Sequence, residues 1–156
     1  MDAISAAAFS INSPILSGTS LFLDSQFIFS GVLLLALVLG ENREEKRRKI
    51  ALSVILAVLC SYGIKLALAI ERPCAGEIWC PSDYSFPSLH ATAAFSLMIG
   101  FLNKKSFPLY LLFALFTGFT RLNLGVHIFA DIAAALPIAI ISYYVIDLSE
   151  QNGKRN

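Results

Sequence analysis

Long apolar stretches separated by short polar breaks set the pattern of this chain, and each break is a candidate turn at a membrane surface. The first clear stretch is 21–40, where a polar entry at Asp24, Ser25 and Gln26 gives way to GVLLLALVLG. A bilayer-crossing helix needs roughly 20 apolar residues, and this run supplies them. Further spans are predicted at 50–70, 87–102, 107–124 and 128–146. The third and fourth of the five are short unless their polar ends are counted. Arg72-Pro73 closes the second span, because proline disfavours helix in the residue before it. Pro87 suits the first turn of the third, with Ser85 or Ser88 available as its cap. Residues 1–20 are milder, rich in Ala and Ser, interrupted by Pro14 and Gly18, and without the basic start of a secretory signal. They predict an interfacial helix or a short re-entrant piece. The predicted fold class is all-α: a polytopic transmembrane helix bundle of about five spans with an N-terminal interfacial helix.

Composition supports the same picture. Of 156 residues, 56% are hydrophobic and only 15% charged, whereas a soluble domain carries nearer a quarter charged residues. The chain reads as one integral membrane domain, 1–156. It has no basic, aromatic-interleaved patch of the kind that binds nucleic acid, and no Gly-rich phosphate loop of the Walker or Rossmann type. The net charge of +1 says little; the placement of the charges says more. Five spans put 41–49, 103–106 and the C-terminal tail on one side. That side holds Arg43, Lys46, Arg47, Arg48, Lys49, Lys104, Lys105, Lys154 and Arg155, nine of the twelve basic residues. The positive-inside rule makes it cytoplasmic, and the dense run ENREEKRRK reads as a solvated turn. Lys65, Arg72, Arg121 and both histidines, His90 and His127, fall at or near the opposite ends of the spans. The topology is not built from these five residues, yet it gathers them on one extracytoplasmic face.

Three cysteines change the picture little. Cys60 lies in an apolar run and is expected to be a small buried hydrophobe. Cys74 and Cys80 flank a short polar loop whose neighbours Trp79 and Tyr84 suit an interface. Six residues of separation permit a disulfide in an oxidising compartment without establishing one. With no histidine nearby, no metal site is expected there.

The candidate chemistry centres on TRLNLGVHIFAD, Thr120 to Asp131. If the stretch after Gly125 is helical, His127 and Asp131 form an i,i+4 pair on one face. A carboxylate one turn from an imidazole can hold its tautomer and support it as a nucleophile or base. Arg121, set before a Gly-containing turn, can bring a fixed fork of donors to an anion near that ring. The blander reading is an intramembrane ion pair that fixes helix packing, but ionisable groups at membrane depth are functional by default. Lys65 and Arg72, seven residues apart, are expected on one helical face about 10 Å apart. Alternatively, Lys65 snorkels and Arg72 anchors a headgroup. Glu71 and Asp131 are the acids expected in range, too few to neutralise three cations, so the missing anion is read as a phosphate ligand. In FPSLH, Ser88 and the free amides of a helix start make a phosphate cradle. His90 follows in the first turn, either as a second imidazole for proton transfer or as a capping and packing residue.

These positions together resemble a known family. Lys65-x6-Arg72-Pro73, then Pro87-Ser88-Leu89-His90, then Thr120-Arg121-x5-His127-x3-Asp131 is similar to the three-part signature of the type 2 phosphatidic acid phosphatase superfamily. That superfamily also includes polyprenyl-diphosphate phosphatases and vanadium haloperoxidases. The resemblance implies that His127 is the nucleophile forming a phosphohistidine, that Asp131 orients it, and that His90 protonates the leaving group. It implies that Lys65, Arg72, Arg121 and Ser88 bind the phosphate oxygens, with no metal and no cofactor. Two positions depart from the pattern: Leu89 stands where a glycine is usual, and Thr120 where a serine is usual. Glycine allows a strained backbone and a close amide contact with phosphate; Thr120 keeps the hydroxyl. The composition excludes the soluble haloperoxidases. The implied activity is that of a lipid phosphate or diphosphate phosphatase in the cell membrane, with a polyprenyl (undecaprenyl- or dolichyl-type) diphosphate as first expectation. Phosphatidylglycerophosphate or phosphatidic acid is the alternative substrate, and transfer to an acceptor other than water the alternative outcome. The competing class is a non-enzymatic anion-binding membrane protein; transporters are commonly built from repeated halves, and five unrepeated spans argue against one. The pattern specifies no oligomeric state.

Overall fold

The computed structural model describes residues 1–11 and 13–153, and helices are the only regular elements among them. Lys154 and Arg155, two of the nine basic residues assigned to the cytoplasmic side, lie outside the described residues. In chain order the helices are α1 (Ala3–Ser10), α2 (Pro14–Asp24), α3 (Gln26–Gly40), α4 (Glu44–Leu68), α5 (Leu89–Gly100), α6 (Phe107–Asn123), α7 (Phe129–Ala133) and α8 (Ala135–Gly153). Two segments, Glu44–Leu68 and Phe129–Gly153, are long and apolar enough to cross a membrane. Gln26–Gly40 and Leu89–Gly100 are apolar but shorter. The first span expected from sequence is not one helix. Ser25 adopts extended backbone, φ −61° and ψ 116°, and divides it into α2 and α3 at the polar triplet Asp24-Ser25-Gln26.

The outer faces are apolar and the interior carries hydroxyls, which is what a helical membrane protein requires. Leu34, Leu39, Ile55, Leu59, Leu112 and Ile141 are exposed, while Ser53, Ser61, Thr92, Ser96, Thr117 and Thr120 are fully buried. In lipid, polar groups must find partners inside the protein. Ser61 on α4 meets Thr92 on α5 at 3.0 Å, and Ser96 and Thr120 donate to carbonyls one turn back.

Helix α5 is the hub, packed against α3, α4, α6 and α8. Ala91 and Ala94 on α5, Ala57 on α4, Ala114 on α6, and Ala135 and Ala139 on α8 are fully buried; small side chains let helix backbones approach closely where no water drives association. Helix α4 turns Ile50, Ser53, Ala57, Ser61 and Lys65 inward, a stripe at spacings of three and four. Cys60 falls off that stripe and is exposed, which corrects the expectation of a buried cysteine.

One end of the bundle is closed by charge pairs that join the 41–43 turn to the 101–106 turn and the start of α4 to the far end of α8. Lys104 lies 2.8 Å from Glu41, Arg48 lies 3.7 Å from Glu150, and Lys49 pairs with Asp147. Gly40 is required here, because a Cβ would fall 1.8 Å from the Tyr110 hydroxyl. That hydroxyl donates to the Ala36 carbonyl, and its ring stacks on Phe101 with centroids 3.8 Å apart. The candidate catalytic residues all lie at the other end.

Candidate active site

Helix α4 stops at Ala69, which takes the left-handed conformation (φ 48°, ψ 40°) and donates its N–H to Lys65. The chain then forms a loop closed by a disulfide between Cys74 and Cys80, with Cα atoms 5.6 Å apart. Its far end returns to α4, where Ser85 N–H donates to the Ile70 carbonyl at 2.7 Å. Arg72 therefore sits in the loop, and the expected two-turn helical spacing from Lys65 does not occur. The two cations meet all the same, on a residue that sequence reasoning missed. Lys65 Nζ donates to Asp83 Oδ2 at 3.1 Å and to the Tyr84 carbonyl at 2.5 Å. Arg72 donates to Asp83 Oδ1 through Nε at 3.1 Å and Nη2 at 2.6 Å. Burial alone would raise the Asp83 carboxyl, but the bonds from Arg72 and Lys65 outweigh it and hold the group below the usual carboxylate range. The available signal was a lone acid in the 81–86 segment, close in sequence to cations in need of one. Glu71, the acid expected to serve, is exposed.

His127 lies in the turn between α6 and α7. Gly125 makes the turn with φ +67°, a left-handed conformation that glycine adopts without steric cost. His127 Nε2 faces Arg72 Nη1 at 3.2 Å, and that same Nη1 donates to the Val126 carbonyl at 3.0 Å. A guanidinium can only donate, so Nε2 is the acceptor and holds a lone pair. The proton belongs on Nδ1, which faces Asp131 Oδ2 at 3.2 Å. The pairing of His127 with Asp131 is as expected, although α7 begins only at Phe129. Asp131 reaches back from the third position of α7 and also accepts from the Ile128 N–H at 2.9 Å. Ser85 Oγ donates to the same Oδ2 and lies 3.4 Å from His127 Nδ1. Its place in this network was not legible in the sequence, where Ser85 was one of two candidate caps.

Ser88 is the cap. Its Oγ accepts from Ala91 N–H at 3.5 Å, its own N–H donates to the Asp131 carbonyl at 3.1 Å, and the residue is fully buried. Its backbone thus joins the start of α5 to the His127 network. His90 is the second residue of α5, with its ring 4.6 Å from that of Phe29. It is close enough to feel the charges of Arg121, Asp24, His127 and Arg72, and its Nε2 is buried without a hydrogen-bond partner among the described residues. Leu89 needs no glycine-like backbone: among the described residues, Ala69 is the one non-glycine with positive φ.

Arg121 occupies the last turn of α6 and is 1% exposed. Nη1 donates to Asp24 Oδ1 at 2.5 Å and Nη2 to the Ser20 carbonyl at 3.1 Å, while Nε is buried without a hydrogen-bond partner among the described residues. The three cations therefore divide between two carboxylates, Asp83 and Asp24. Glu71, a candidate neutralising acid, is not one of them, and Asp131 serves His127. Helices α1 and α2 brace this corner. Asn123 Nδ2 donates to the Ala8 and Ile11 carbonyls at 3.1 and 2.9 Å, Ser20 Oγ donates to Asn123 Oδ1 at 3.2 Å, and Phe129 N–H donates to Ser5 Oγ at 2.8 Å.

Beside His90 lies an apolar cavity of about 530 Å³ between α3, α4 and α5, with Phe29, Leu33, Val54, Val58 and Leu89 in its lining. The corner as a whole holds an imidazole whose Nε2 lone pair faces Arg72, a carboxylate behind it, three cations and a second imidazole. Such a set can attack an electrophile, stabilise negative charge on its oxygens and protonate a leaving group.

A family model described as the PAP2 superfamily matches residues 48–153. The undecaprenyl-diphosphatase BcrC of Bacillus subtilis (strain 168) is 32% identical over 120 residues, which is 70% of this chain and 62% of that protein's length. The crystal structure of Aquifex aeolicus LpxE superimposes with a TM-score of 0.73 at 21% identity, covering 92% of each chain. The structure described as the first transmembrane PAP2 type phosphatidylglycerolphosphate phosphatase, from Bacillus subtilis, gives 0.69 at 18% identity, covering 96% of this chain and 84% of that one. The two structures show a common fold.

Proposed function

The chain belongs to the PAP2 superfamily, and we propose that it is a membrane-integral lipid phosphatase whose substrate is a polyprenyl diphosphate. The observation that carries this reading is the His127 network together with two buried polar atoms at the same end, His90 Nε2 and Arg121 Nε, that have no hydrogen-bond partner among the described residues. Buried polar atoms in folded proteins are almost always paired, and a phosphoryl group and its leaving oxygen would pair these two.

In the proposed reaction, His127 Nε2 attacks phosphorus while Arg72, Lys65 and Arg121 hold the phosphoryl oxygens. Arg72 Nη1 passes from the imidazole to an oxygen as the nitrogen lone pair is used. Asp131, held by Ser85 and the Ile128 N–H, stabilises the imidazolium that forms. The bond from phosphorus to the leaving oxygen breaks, and His90 supplies that oxygen's proton. Water, losing its proton to His90, then cleaves the phosphohistidine and releases inorganic phosphate. The steps use side chains alone, and metal independence is part of the proposal. Ser88, buried as a cap, would act through its backbone and the helix start.

Five crossings, with α2 and α3 serving one of them, would place this corner on the extracytoplasmic face of the cell membrane. The lipid would enter from the outer leaflet, and the apolar cavity beside His90 suits its hydrocarbon. The match to an undecaprenyl-diphosphatase favours a prenyl diphosphate over phosphatidic acid or phosphatidylglycerophosphate.

The test is phosphate release in detergent from all three lipid classes, with EDTA present and a His127→Ala protein alongside. The expected result is metal-independent release, fastest from the polyprenyl diphosphate and absent from the variant. Release that survives His127→Ala would overturn the mechanism, and a faster glycerolipid would overturn the substrate. Sidedness has its own check: an impermeant thiol reagent applied outside should label a cysteine placed at Tyr84 and spare one placed at Lys46.

A further inference from the structure

We propose that Asp83 is a displaceable counter-ion that sets the affinity of this site for phosphate, by occupying the donors a phosphate needs. The inference rests on the phosphatase reading above and deepens it. Asp83 Oδ2 takes Lys65 Nζ, and Oδ1 takes Arg72 Nε and Nη2. The remaining arm of the same guanidinium reaches His127 Nε2. The carboxylate thus lies one guanidinium away from the attacking nitrogen. Carboxylate and phosphate present a similar pair of oxygens to an arginine fork, so Asp83 takes the donors that a phosphate would use.

Two further features separate Asp83 from an ordinary structural partner. The side chains of Lys65 and Arg72 are 2% and 8% exposed, but that of Asp83 is 48% exposed. It can rotate into water while the cations stay in place. Asp131 offers the contrast: its side chain is 2% exposed and tied to His127, Ser85 and the Ile128 N–H. The backbone around Asp83 is held by the Cys74–Cys80 disulfide and by the Ser85 to Ile70 bond, so exchange needs side-chain rotation alone.

The charges also balance. Lys65 and Arg72 pair with Asp83, Arg121 pairs with Asp24, and the Asp131 carboxylate behind His127 brings the corner to three cations and three carboxylates. An anion entering a neutral site gains little attraction; an anion that turns Asp83 out meets a net positive site. Keeping Asp83 nearby spares Lys65 a buried, unpaired charge between turnovers. It also makes bound inorganic phosphate compete with a tethered carboxylate, which speeds product release.

The test uses the full chain in detergent with Asp83→Asn, Asp83→Glu and, as an exposed control on the same loop, Glu71→Gln. Inorganic phosphate is the probe, read as its inhibition constant and as the rise in melting temperature it produces. Asp83→Asn is expected to bind phosphate about tenfold tighter and to lower KM for the lipid by a similar factor. Asp83→Glu should return both within about threefold of the parent, with Glu71→Gln unchanged. Unchanged or weaker phosphate binding in Asp83→Asn overturns the proposal. If Asp83→Asn folds only when phosphate is added, phosphate has replaced the carboxylate and the proposal stands; if phosphate does not rescue it, Asp83 is purely structural and the proposal falls. Phosphate binding by a parent protein that hydrolyses no lipid would sink the phosphatase reading and leave this test intact.

Discussion

Both ends of the bundle carry ion pairs, and they differ in burial and in completeness. At the end formed by Glu41, Arg48, Lys49, Lys104, Asp147 and Glu150, each acid has a cation within 4 Å, and several of the side chains are partly open to solvent. At the His127 end, Lys65 and Arg121 are 1% exposed and their acids are half-exposed. Among the described residues His90 Nε2 and Arg121 Nε have no hydrogen-bond partner; Glu41 Oε2 and Glu150 Oε1 at the first end also lack a hydrogen bond, but each faces a cation within 4 Å. Exposed pairs contribute roughly 0–1 kcal/mol each, and their loss is tolerated. Burying a cation costs far more and is rarely a net gain in stability. The contrast teaches that the first end closes the fold, whereas the second carries a burial cost that the proposed phosphate-binding role would explain.

The largest effects should come from the incomplete end. His127→Ala is expected to lower kcat on the order of 10³-fold or more without unfolding the protein, and Asp131→Asn to approach it. Phosphate release, with circular dichroism as a folding control, checks both. Arg121→Lys, which keeps the charge but loses the fork and its free Nε, should cost on the order of 10²-fold in kcat/KM. A smaller loss would mean that Arg121 serves mainly to anchor Asp24. Ser85→Ala should lower kcat roughly tenfold with little change in KM, because it removes one hydrogen bond to Asp131 and no contact expected of the substrate. A rise in KM instead would place Ser85 against the lipid.

The complete end should answer in the opposite currency. Gly40→Ala forces a Cβ onto the Tyr110 hydroxyl and should destabilise by about 1–3 kcal/mol in a detergent melt, with kcat of the folded fraction unchanged. Asp147→Asn is the smallest case: less than about 1 kcal/mol of stability, and activity within about twofold of the parent. A tenfold loss of activity from either variant would collapse the distinction between the ends.

Much of this was legible in the sequence for local reasons. Hydropathy runs predict helices because each helix must turn apolar faces outward, and α6 lies where its run does. Helix α4 covers the second run but starts at Glu44, inside the charged stretch read as a turn, and the fifth run is divided between α7 and α8, with α8 continuing to Gly153 in the expected polar tail. The 124–128 turn was marked by Gly125, and the pairing of His127 with Asp131 spans only four residues. The errors share one physical cause. The split at Ser25, the exposure of Cys60, the place of Arg72 outside α4, and the roles of Asp24, Asp83 and Ser85 depend on contacts between distant segments. Arg121 and Asp24 are 97 residues apart, and Ser85 and Asp131 are 46 apart.

By itself the sequence determined that this is a helical membrane protein with its histidines and its isolated cations at one end, and which residue types could carry phosphate chemistry. Those properties follow from hydropathy, turn residues and short spacings, each encoded within a few positions of the chain. Only the tertiary structure decided which carboxylate neutralises which cation, which serine caps α5 and which supports Asp131, and that the disulfide forms. Such pairings depend on how separately encoded helices pack, and at that range the spacing along the chain no longer specifies the distance in space.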